Sequence, residues 1–268
     1  MDLKLKNKHF LISGGAGGIG EEIIRVLREE GAKVTLHYNT SSKHAERIMN
    51  DHKEGIFLAQ GDMRKEEDIK RIIQEASKAF GRIHGIVANA GIWPEKNLFA
   101  DEMELEQWEN TLKINLTGVF LMVKEYFKHL KNHLEEKASI VMIGSTAGKF
   151  GEAGHADYSA SKAAMHGLTR SWKNEIIKYA IHGRVNTVGP GWVKTPMAEE
   201  SLKDTKLVKR VLQTIPLRKV ATSRDIADIV VFLLSERAGH INGQTIMVDG
   251  GMEGRVLFES EEIDVSKA

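Results

Sequence analysis

The chain has 268 residues, is 41% hydrophobic and carries a formal net charge of +1, with no cysteine. These values fit one α/β domain with a substantial core, and we treat residues 1–268 as that single domain. They exclude disulfides, thiolate metal sites and a cysteine nucleophile, and they give no sign of a nucleic-acid surface.

Short apolar runs alternate with segments of helical periodicity along the chain, and each run has the length of a buried strand. Helices are expected between the runs, the clearest over 66–80, where Ile69, Ile73 and Ala76 share one face. This alternation predicts an α/β fold with a doubly wound parallel sheet, helices on both faces, and ligands at the carboxyl ends of the strands. The seven strands are expected at 9–13, 33–37, 56–59, 83–88, 139–143, 184–188 and 244–248.

A glycine-rich turn from Gly14 to Gly20 lies between the first predicted strand and a helix over 21–30. Such a turn lets backbone amides approach a pyrophosphate, and the N-terminus of the following helix favours negative charge. No Gly-Lys-Ser/Thr follows, so this is not the loop of nucleoside triphosphate-binding proteins. A flexible linker is the alternative, and the strand and helix on either side argue against it.

Tyr158 and Lys162 stand four residues apart in a predicted helix, which puts both side chains on one face. A phenol loses its proton near pH ~10, and a neighbouring ammonium lowers that pKa. Lowering it by about three units requires roughly 4 kcal/mol and gives an acid/base near neutral pH. By itself, Tyr-x-x-x-Lys arises often by chance on helix surfaces.

The chain resembles the short-chain dehydrogenase/reductase family over about residues 8–252, because six motifs occur in the order in which that family has them. The glycine turn matches Thr-Gly-x-x-x-Gly-x-Gly, with Ser13 in place of the usual Thr. Ser145 lies thirteen residues before Tyr158, as the catalytic serine does in the family. The other motifs are Asp62 after the third strand, Ala88-Asn89-Ala90-Gly91 after the fourth, Asn115 in the long middle helix, and Gly189-Pro190-Gly191-Trp192-Val193-Lys194-Thr195 after the sixth.

The resemblance implies a Rossmann-like enzyme that interconverts a carbonyl and a secondary alcohol with a nicotinamide dinucleotide. Within this family, the chain is similar to 3-oxoacyl carrier-protein reductases and glucose 1-dehydrogenases. Tyr158 would be the general acid/base, and Ser145 would hydrogen-bond the substrate oxygen. Lys162 would lower the pKa of Tyr158 and bind the nicotinamide ribose. Asn115 would hold a water molecule that links Lys162 to solvent.

The end of the second strand bears on the choice of cofactor. NAD-dependent relatives usually carry an acid there to bind the ribose 2′-hydroxyl, whereas this chain has Tyr38. Nearby hydroxyls and Lys43 can hold a 2′-phosphate, although the basic residues of many NADP-dependent relatives are replaced by Gly17 and Asn39. We therefore favour NADP(H), with NAD(H) as the alternative. The resemblance assigns cofactor contacts to Gly14, Gly18, Ile19, Gly20, Tyr38, Asn39, Thr40, Ser41, Asp62, Met63, Asn89, Ala90, Gly91, Tyr158, Lys162, Pro190, Gly191, Val193 and Thr195.

Several histidines allow other interpretations. His129 and His133 lie four apart on a predicted helix, as zinc ligands do. The sequence supplies no third ligand, so a solvated helix face is favoured and no metal is expected. His155, three residues before Tyr158, lies where the family has its substrate loop. It is expected either on the loop surface or in contact with substrate.

The expected partner is a small-molecule carbonyl or alcohol. The motifs do not separate ketones, sugars and acyl thioesters, because relatives share the catalytic residues. A second hypothesis is a dinucleotide-binding regulator without catalysis, and the intact catalytic set argues against it. The N-terminus lacks the apolar stretch of a signal peptide, and no run approaches the ~18 apolar residues of a membrane span. We therefore expect a cytoplasmic protein with no membrane or nucleic-acid partner.

The resemblance also implies a homotetramer, assembled through the helices at 112–133 and 159–179 and through the last helix and strand at 224–248. Phe120, Val123 and Phe127 supply apolar area on the middle helix, and a stripe over 226–234 supplies more. Core packing alone would also explain both sets. Residues 252–268 form a C-terminal extension, whose first part, 252–258, is expected to reach a neighbouring subunit or its active site.

Overall fold

The chain folds around a sheet of seven parallel strands, in a computed structural model that describes residues 2–52, 54–94 and 96–265. The strands of this sheet and of a small second one are, in chain order, β1 (His9–Ile12), β2 (Lys33–Tyr38), β3 (Ile56–Gln60), β4 (Gly85–Ala88), β5 (Ser139–Ile143), β6 (Arg184–Pro190), β7 (Val193–Lys194), β8 (Ala221–Thr222) and β9 (Thr245–Val248). The order across the sheet is β3-β2-β1-β4-β5-β6-β9, and β7 pairs with β8 in a separate parallel ladder. The predicted fold class and its seven strands are confirmed.

Helices connect the strands. They are α1 (Gly18–Glu29), α2 (Ser42–Asp51), α3 (Glu66–Phe80), α4 (Leu105–Leu112), α5 (Gly118–Asn132), α6 (Ala147–Phe150), α7 (Ala156–Glu175), α8 (Glu199–Lys203), α9 (Thr205–Leu212) and α10 (Ser223–Leu234). A π-helical turn, Lys113–Thr117, joins α4 to α5 without a break. Within the described residues, no helix combines the length and the apolar composition that crossing a membrane requires.

The two faces of the sheet form two separate cores. Successive side chains of a strand point to opposite faces, so in β1 Leu11 joins one core while Phe10 and Ile12 join the other. The first core lies under α3, α5 and α7, and the second lies under α1, α2 and α10. The central strands β1, β4, β5 and β6 are buried along their whole length, as parallel strands covered on both faces must be.

The strand order reverses between β1 and β4, and this reversal positions the site. β1 leads outward to β2 and β3, whereas β4 leads to β5, β6 and β9 on the other side. The loops after β1 and β4 therefore separate and leave a crevice at the carboxyl edge of the sheet. Asn89 follows β4 directly, and Gly14 follows β1 after Ser13, so both residues lie at this edge.

A lid-like segment between β7 and β8 carries α8 and α9, and the C-terminal segment packs against it. Leu257 donates its backbone N–H to Gln213 O at 2.8 Å, and Gln213 Nε2 donates to Phe258 O at 2.9 Å. Ile263 is buried in the same small cluster. The end of the 252–258 segment thus contacts its own chain, and residues 266–268 of the predicted extension lie outside the described residues.

Candidate active site

The glycine turn is fixed at its base by residues that follow β4. The hydroxyl oxygen of Ser13 accepts hydrogen bonds from the backbone N–H groups of Asn89 and Ala90, both at 3.0 Å. The side-chain Nδ2 of Asn89 donates to the carbonyl oxygens of Ser13 and Gly14, again at 3.0 Å. The predicted cofactor residues of the two loops therefore form one hydrogen-bonded unit.

Close approach requires glycine at two positions of this turn. Gly14 has a φ of +62°, and a Cβ there would lie 2.8 Å from the Cα of Ala90. A Cβ on Gly20 would collide with the carbonyl oxygen of Gly14. The helix α1 begins at Gly18, and among the described residues no side chain caps its N-terminus at Gly17. Its first amides are open to an anion, which fits the pyrophosphate of a dinucleotide.

Ser145 and Tyr158 meet at the carboxyl end of β5. The Ser145 Oγ accepts a hydrogen bond from the backbone N–H of Ala147 at 3.1 Å, which leaves its own proton free for another acceptor. Burial raises the pKa of Tyr158 to about 12; a hydrogen bond with Ser145 acts to lower this pKa, and the Glu152 carboxylate acts to raise it. The phenol therefore holds its proton firmly in this structure.

Lys162 lies one turn beyond Tyr158 on α7, and only 8% of it is exposed. Its Nζ donates to the carbonyl oxygen of Ile143 at 3.0 Å and lies 5.6 Å from the centroid of the Tyr158 ring. Burial lowers the pKa of Lys162 to about 8. The expected lowering of the Tyr158 pKa is wrong for this structure, because desolvation of the phenol dominates and the ammonium is directed at Ile143.

Asn115 is buried within the π-helical turn, and its side chain is bound to the loop after β4. Its Oδ1 accepts from the backbone N–H of Ile92 at 2.8 Å, and its Nδ2 donates to Ile92 O at 2.9 Å. A Cβ on Gly91 would lie 3.1 Å from this Oδ1, so glycine permits the contact. A π-helical turn redirects a side chain locally and is frequent at functional sites. The water link assigned to Asn115 stays a prediction.

An aromatic wall stands beside the tyrosine. The rings of Trp93 and Tyr158 are 4.6 Å apart in an edge-on arrangement, and the rings of Trp93 and His155 are 4.1 Å apart. His155 is only 6% exposed, so it does not lie on the loop surface. Its Nδ1 is buried and has no hydrogen-bond partner within the described part of the chain. Leu98 N–H donates to Gly154 O at 3.0 Å, which joins the loops that carry Trp93 and His155.

The second half of the predicted cofactor site follows β2 and β3. Asn39, Thr40 and Ser41 are exposed, and the first turn of α2 carries no acidic residue. The Asp62 carboxylate pairs with Arg64 at 2.7 Å, so the predicted adenine ligand already has a cationic partner. Beside it, the side chain of Met63 is buried in the first core, where it packs close to Gly118 of α5.

The segment after β6 bends over the glycine turn. Thr146 N–H donates to Pro190 O at 2.9 Å, and Gly191 N–H donates to Val248 O at 3.1 Å. Val193 is buried, whereas Thr195 approaches the start of α1: a Cβ on Gly18 would lie 3.0 Å from the Thr195 Cβ. Ile19, the next residue of α1, packs against the core under the turn. The predicted nicotinamide and phosphate residues are thus neighbours.

The two histidines considered as zinc ligands are stacked, with ring centroids 4.2 Å apart. His129 Nε2 accepts a hydrogen bond from the backbone N–H of Ile83 at 2.9 Å, and His133 Nδ1 contacts the His129 carbonyl oxygen at 3.0 Å. In the ranges that the structure describes, no three metal-binding side chains are gathered into a site. His129 thus joins α5 to Ile83, before β4, and because it is only 6% exposed the expectation of a solvated helix face is wrong for this histidine.

Comparison with known proteins agrees with the geometry of this site. Residues 14–253 match the profile of a family described as enoyl-(acyl carrier protein) reductase. A 3-oxoacyl-[acyl-carrier-protein] reductase FabG from Staphylococcus epidermidis is 34% identical over 249 residues, which are 92% of this chain and 99% of that protein. A glucose 1-dehydrogenase from Gluconobacter oxydans is 33% identical over 254 residues, 93% of each chain. A solved short-chain dehydrogenase/reductase from Brucella melitensis, named as a glucose/ribitol dehydrogenase, superposes with a TM-score of 0.86 at 30% identity and covers 94% of this chain and 99% of its own. The chain belongs to the short-chain dehydrogenase/reductase family.

As a short-chain dehydrogenase/reductase, the protein is an oxidoreductase that acts on CH–OH or C=O groups. The structure brings Ser145, Tyr158, Lys162 and Asn115 to one end of the crevice, next to the loops after β4 and β6. This is the edge where the fold places ligands. The resemblance to the short-chain dehydrogenase/reductase family is therefore confirmed along nearly the whole chain.

Three residues of this short-chain dehydrogenase/reductase site were not assigned from the sequence. Asp157 is fully buried; its Oδ2 accepts from the Thr111 hydroxyl at 2.8 Å and its Oδ1 from the Tyr158 N–H at 2.8 Å, which ties α7 to α4. His37 contacts the glycine turn from β2. Trp93 touches the tyrosine. Of the three, only Asp157 had a recognisable signal in the sequence, as an acid in the first turn of the helix that carries Tyr158.

Proposed function

We propose that this enzyme is an NADP(H)-preferring oxidoreductase that interconverts a small-molecule carbonyl and the corresponding secondary alcohol, with Tyr158 as its general acid/base. The observation that carries the proposal is the meeting of Ser145 and Tyr158 at the same edge of the sheet as an uncapped helix N-terminus that fits a pyrophosphate. A bound nicotinamide dinucleotide supplies or accepts the hydride.

The residues divide the proton chemistry among them. Ser145 holds the substrate oxygen next to the phenol, since its Oγ already accepts from Ala147 and has its own proton to donate. In reduction Tyr158 gives its proton to the forming alkoxide, and in oxidation it takes the alcohol proton. Lys162 carries a positive charge below pH about 8, and this charge stabilises the phenolate that Tyr158 becomes when it gives up its proton. Asn115 keeps the neighbouring loop in place through Ile92.

The residues proposed for the dinucleotide fall into three groups along the crevice. The glycine turn and the N-terminus of α1 hold the phosphates. The segment from Tyr38 to Ser41 holds the adenosine ribose, and the lack of an acid there and in the first turn of α2 favours a 2′-phosphate. Asp62 meets the adenine, and Val193 and Thr195 hold the carboxamide.

The substrate is proposed to lie against Trp93 and His155. The Trp93 ring offers a flat apolar surface, and His155 offers a ring nitrogen to a substrate hydroxyl.

We further propose a homotetramer in the cytoplasm. Phe120 is 46% exposed on α5, beside Trp172 and Tyr179, which supports an interface on that helix. The apolar stripe of α10, in contrast, is buried against the second core.

Turnover assays test the function directly. The purified protein is incubated with NADPH or NADH and a panel of ketones, aldoses and acyl thioesters. Polyols are tested with the oxidised cofactors. The absorbance of the reduced nicotinamide is followed in both directions. Turnover of at least one class with an NADPH preference supports the proposal. Tight dinucleotide binding with no turnover of any class would favour the silent regulator instead.

A further inference from the structure

His37 lies between two segments of the crevice that are far apart in the sequence. It is the fifth residue of β2 and is 2% exposed. Its Nδ1 accepts a hydrogen bond from the backbone N–H of Gly14 at 3.1 Å, and its Nε2 lies 3.0 Å from the carbonyl oxygen of Gly61. One ring thus connects the glycine turn to the segment that enters Asp62.

The two partners dictate where the imidazole proton resides. The amide of Gly14 can only donate and the carbonyl of Gly61 can only accept, so the ring is neutral with its proton on Nε2. Backbone bonds reinforce the arrangement: Gly15 N–H donates to His37 O at 2.8 Å, and Gly61 N–H donates to Tyr38 O at 3.0 Å. A second proton on Nδ1 would place two N–H groups against each other at Gly14.

We propose that His37 is a positioning residue for the dinucleotide, which joins the phosphate-binding turn to the adenine-binding segment only while its ring is neutral. The proposal rests on the proposed function, since that function assigns the two segments to the two ends of one dinucleotide. Protonation of His37 breaks the Gly14 contact, releases the turn and weakens dinucleotide binding.

The surroundings set the direction of the pH dependence. Burial lowers the pKa of His37 below its usual 6.5, while the Gly61 carbonyl and the carboxylates of Asp62 and Asp68 act to raise it. These acids come from the segment after β3 and from α3, where Arg64 and Arg71 pair with them. The glycine turn itself contributes no titratable side chain. The neutral, binding-competent ring is therefore present at neutral pH and is lost as the pH falls through a value below 6.5.

The test measures dinucleotide affinity against pH in variants of this one residue. The dissociation constant of NADH is measured by fluorescence from pH 8.0 down to the pH at which C2 exchange shows His37 to be protonated, with circular dichroism confirming that the protein stays folded; NADH is chosen because a 2′-phosphate would itself titrate near pH ~6. His37→Asn keeps an acceptor for the Gly14 amide but cannot be protonated. His240→Asn removes an exposed histidine elsewhere and serves as the matched control.

The wild type and His240→Asn should lose affinity on acidification, approaching tenfold per pH unit below the His37 pKa, whereas His37→Asn should stay within about twofold. A flat wild-type profile, or an equally steep profile for His37→Asn, overturns the proposal and leaves the proposed function intact. Failure of both NADH and NADPH to bind at pH 8 overturns the proposed function and this inference with it.

A second measurement needs neither a variant nor a dinucleotide. Deuterium exchange at the imidazole C2 position, followed by mass spectrometry, reports the pKa of His37 in the wild-type protein. Amide exchange over residues 13–20 is recorded at the same pH values and corrected for intrinsic rates. Loss of protection in the turn at the His37 pKa supports the proposal, and protection that is independent of this titration contradicts it.

Discussion

The ammonium of Lys162 is hydrogen-bonded to the carbonyl oxygen of Ile143 at 3.0 Å, so α7 is fastened to the last residue of β5. Ser145 follows Ile143 by two positions, and Tyr158 precedes Lys162 by one helical turn. The contact therefore fixes the distance between the serine and the tyrosine. It also explains why a lysine is buried here at an energetic cost.

That cost leads to a prediction for Lys162→Met. A fall in the Lys162 pKa from 10.5 to about 8 corresponds to roughly 3 kcal/mol of destabilisation at pH 7, where both folded and unfolded chains carry the charge. Losing the hydrogen bond to Ile143 offsets about 1 kcal/mol of the gain. We expect Lys162→Met to be about 2 kcal/mol more stable at pH 7 by urea denaturation, while turnover is lost.

The stability gain should also depend on pH. The lysine is penalised fully below pH 8 and progressively less as the pH rises toward 10.5, where the unfolded chain loses its proton as well. The advantage of Lys162→Met should therefore shrink between pH 7 and pH 9.5. An unchanged or less stable variant at pH 7 would show that the ammonium is not held in a desolvated state.

Removing the Tyr158 hydroxyl separates chemistry from binding. Tyr158→Phe keeps the ring against Trp93 but has no proton to transfer. We expect kcat to fall by about 10²–10⁴-fold, the usual contribution of general acid catalysis, with NADPH affinity within about threefold of the wild type. Steady-state kinetics and fluorescence titration measure the two quantities. Tyr179→Phe, which removes a phenol beside Phe127 and away from the crevice, is the control and should retain full turnover.

A carboxylate at the end of β2 should reverse the preference between the two dinucleotides. In Tyr38→Asp, charge repulsion weakens binding of the 2′-phosphate while the acid gains a bond to the ribose hydroxyl of NADH. We expect the ratio of NADPH to NADH affinity to fall by more than tenfold. Tyr38→Asn has the same shape without the charge, so it separates repulsion from loss of the aromatic ring. If both variants change the ratio equally, the phosphate does not lie near residue 38.

Trp93 should contribute to the binding of substrate and not to the binding of the dinucleotide. Truncation in Trp93→Ala removes the surface that packs on Tyr158 and His155. We expect KM for the best substrate to rise about tenfold, near 1.4 kcal/mol, with an unchanged Kd for NADPH. Phe99→Ala changes an exposed ring on the same loop and should leave both constants as they are. A change in NADPH affinity, without one in KM, would place Trp93 on the cofactor side.

Assembly is testable through Phe120, the exposed aromatic side chain of α5. The subunit mass is 29.9 kDa, and light scattering at micromolar concentration is expected to report four times that value. In Phe120→Glu a carboxylate replaces the ring that adjoins Trp172 and Tyr179, so dissociation into smaller species is expected. Lys149→Glu, a charge change on a different helix, is the control. A wild-type monomer with normal turnover would show that activity does not need the tetramer.

The sequence was sufficient for the fold and for the edge of the sheet at which the proposed site residues lie, for a physical reason. Each motif follows a strand, and parallel strands bring their carboxyl ends to one edge, so Gly14, Asn89 and Ser145 had to converge. The helical spacing of Tyr158 and Lys162 was equally visible. These features depend on local order and periodicity, which a single sequence contains.

The direction of individual side chains was not predictable in the same way. Spacing puts Lys162 on the face of Tyr158, but its ammonium bonds to Ile143, which is nineteen positions away. Burial of the phenol, and hence its raised pKa, depends on Trp93 from a separate loop. His37 read as an ordinary strand residue, because only the packed sheet brings it against both Gly14 and Gly61. These contacts are set by tertiary packing.

The short ladder between β7 and β8 makes the lid a replaceable module. Val193 pairs with Ala221 and Lys194 with Thr222, so the chain leaves and re-enters the core at adjacent points. Because the two ends are already held together, changing the number of residues between them alters the closure entropy by only about 0.6 kcal/mol per doubling of length. Segments of different length and composition can therefore be exchanged between 197 and 220 while the sheet and the proton-transfer residues keep their positions, so new substrate ranges can evolve or be engineered here without refolding the enzyme.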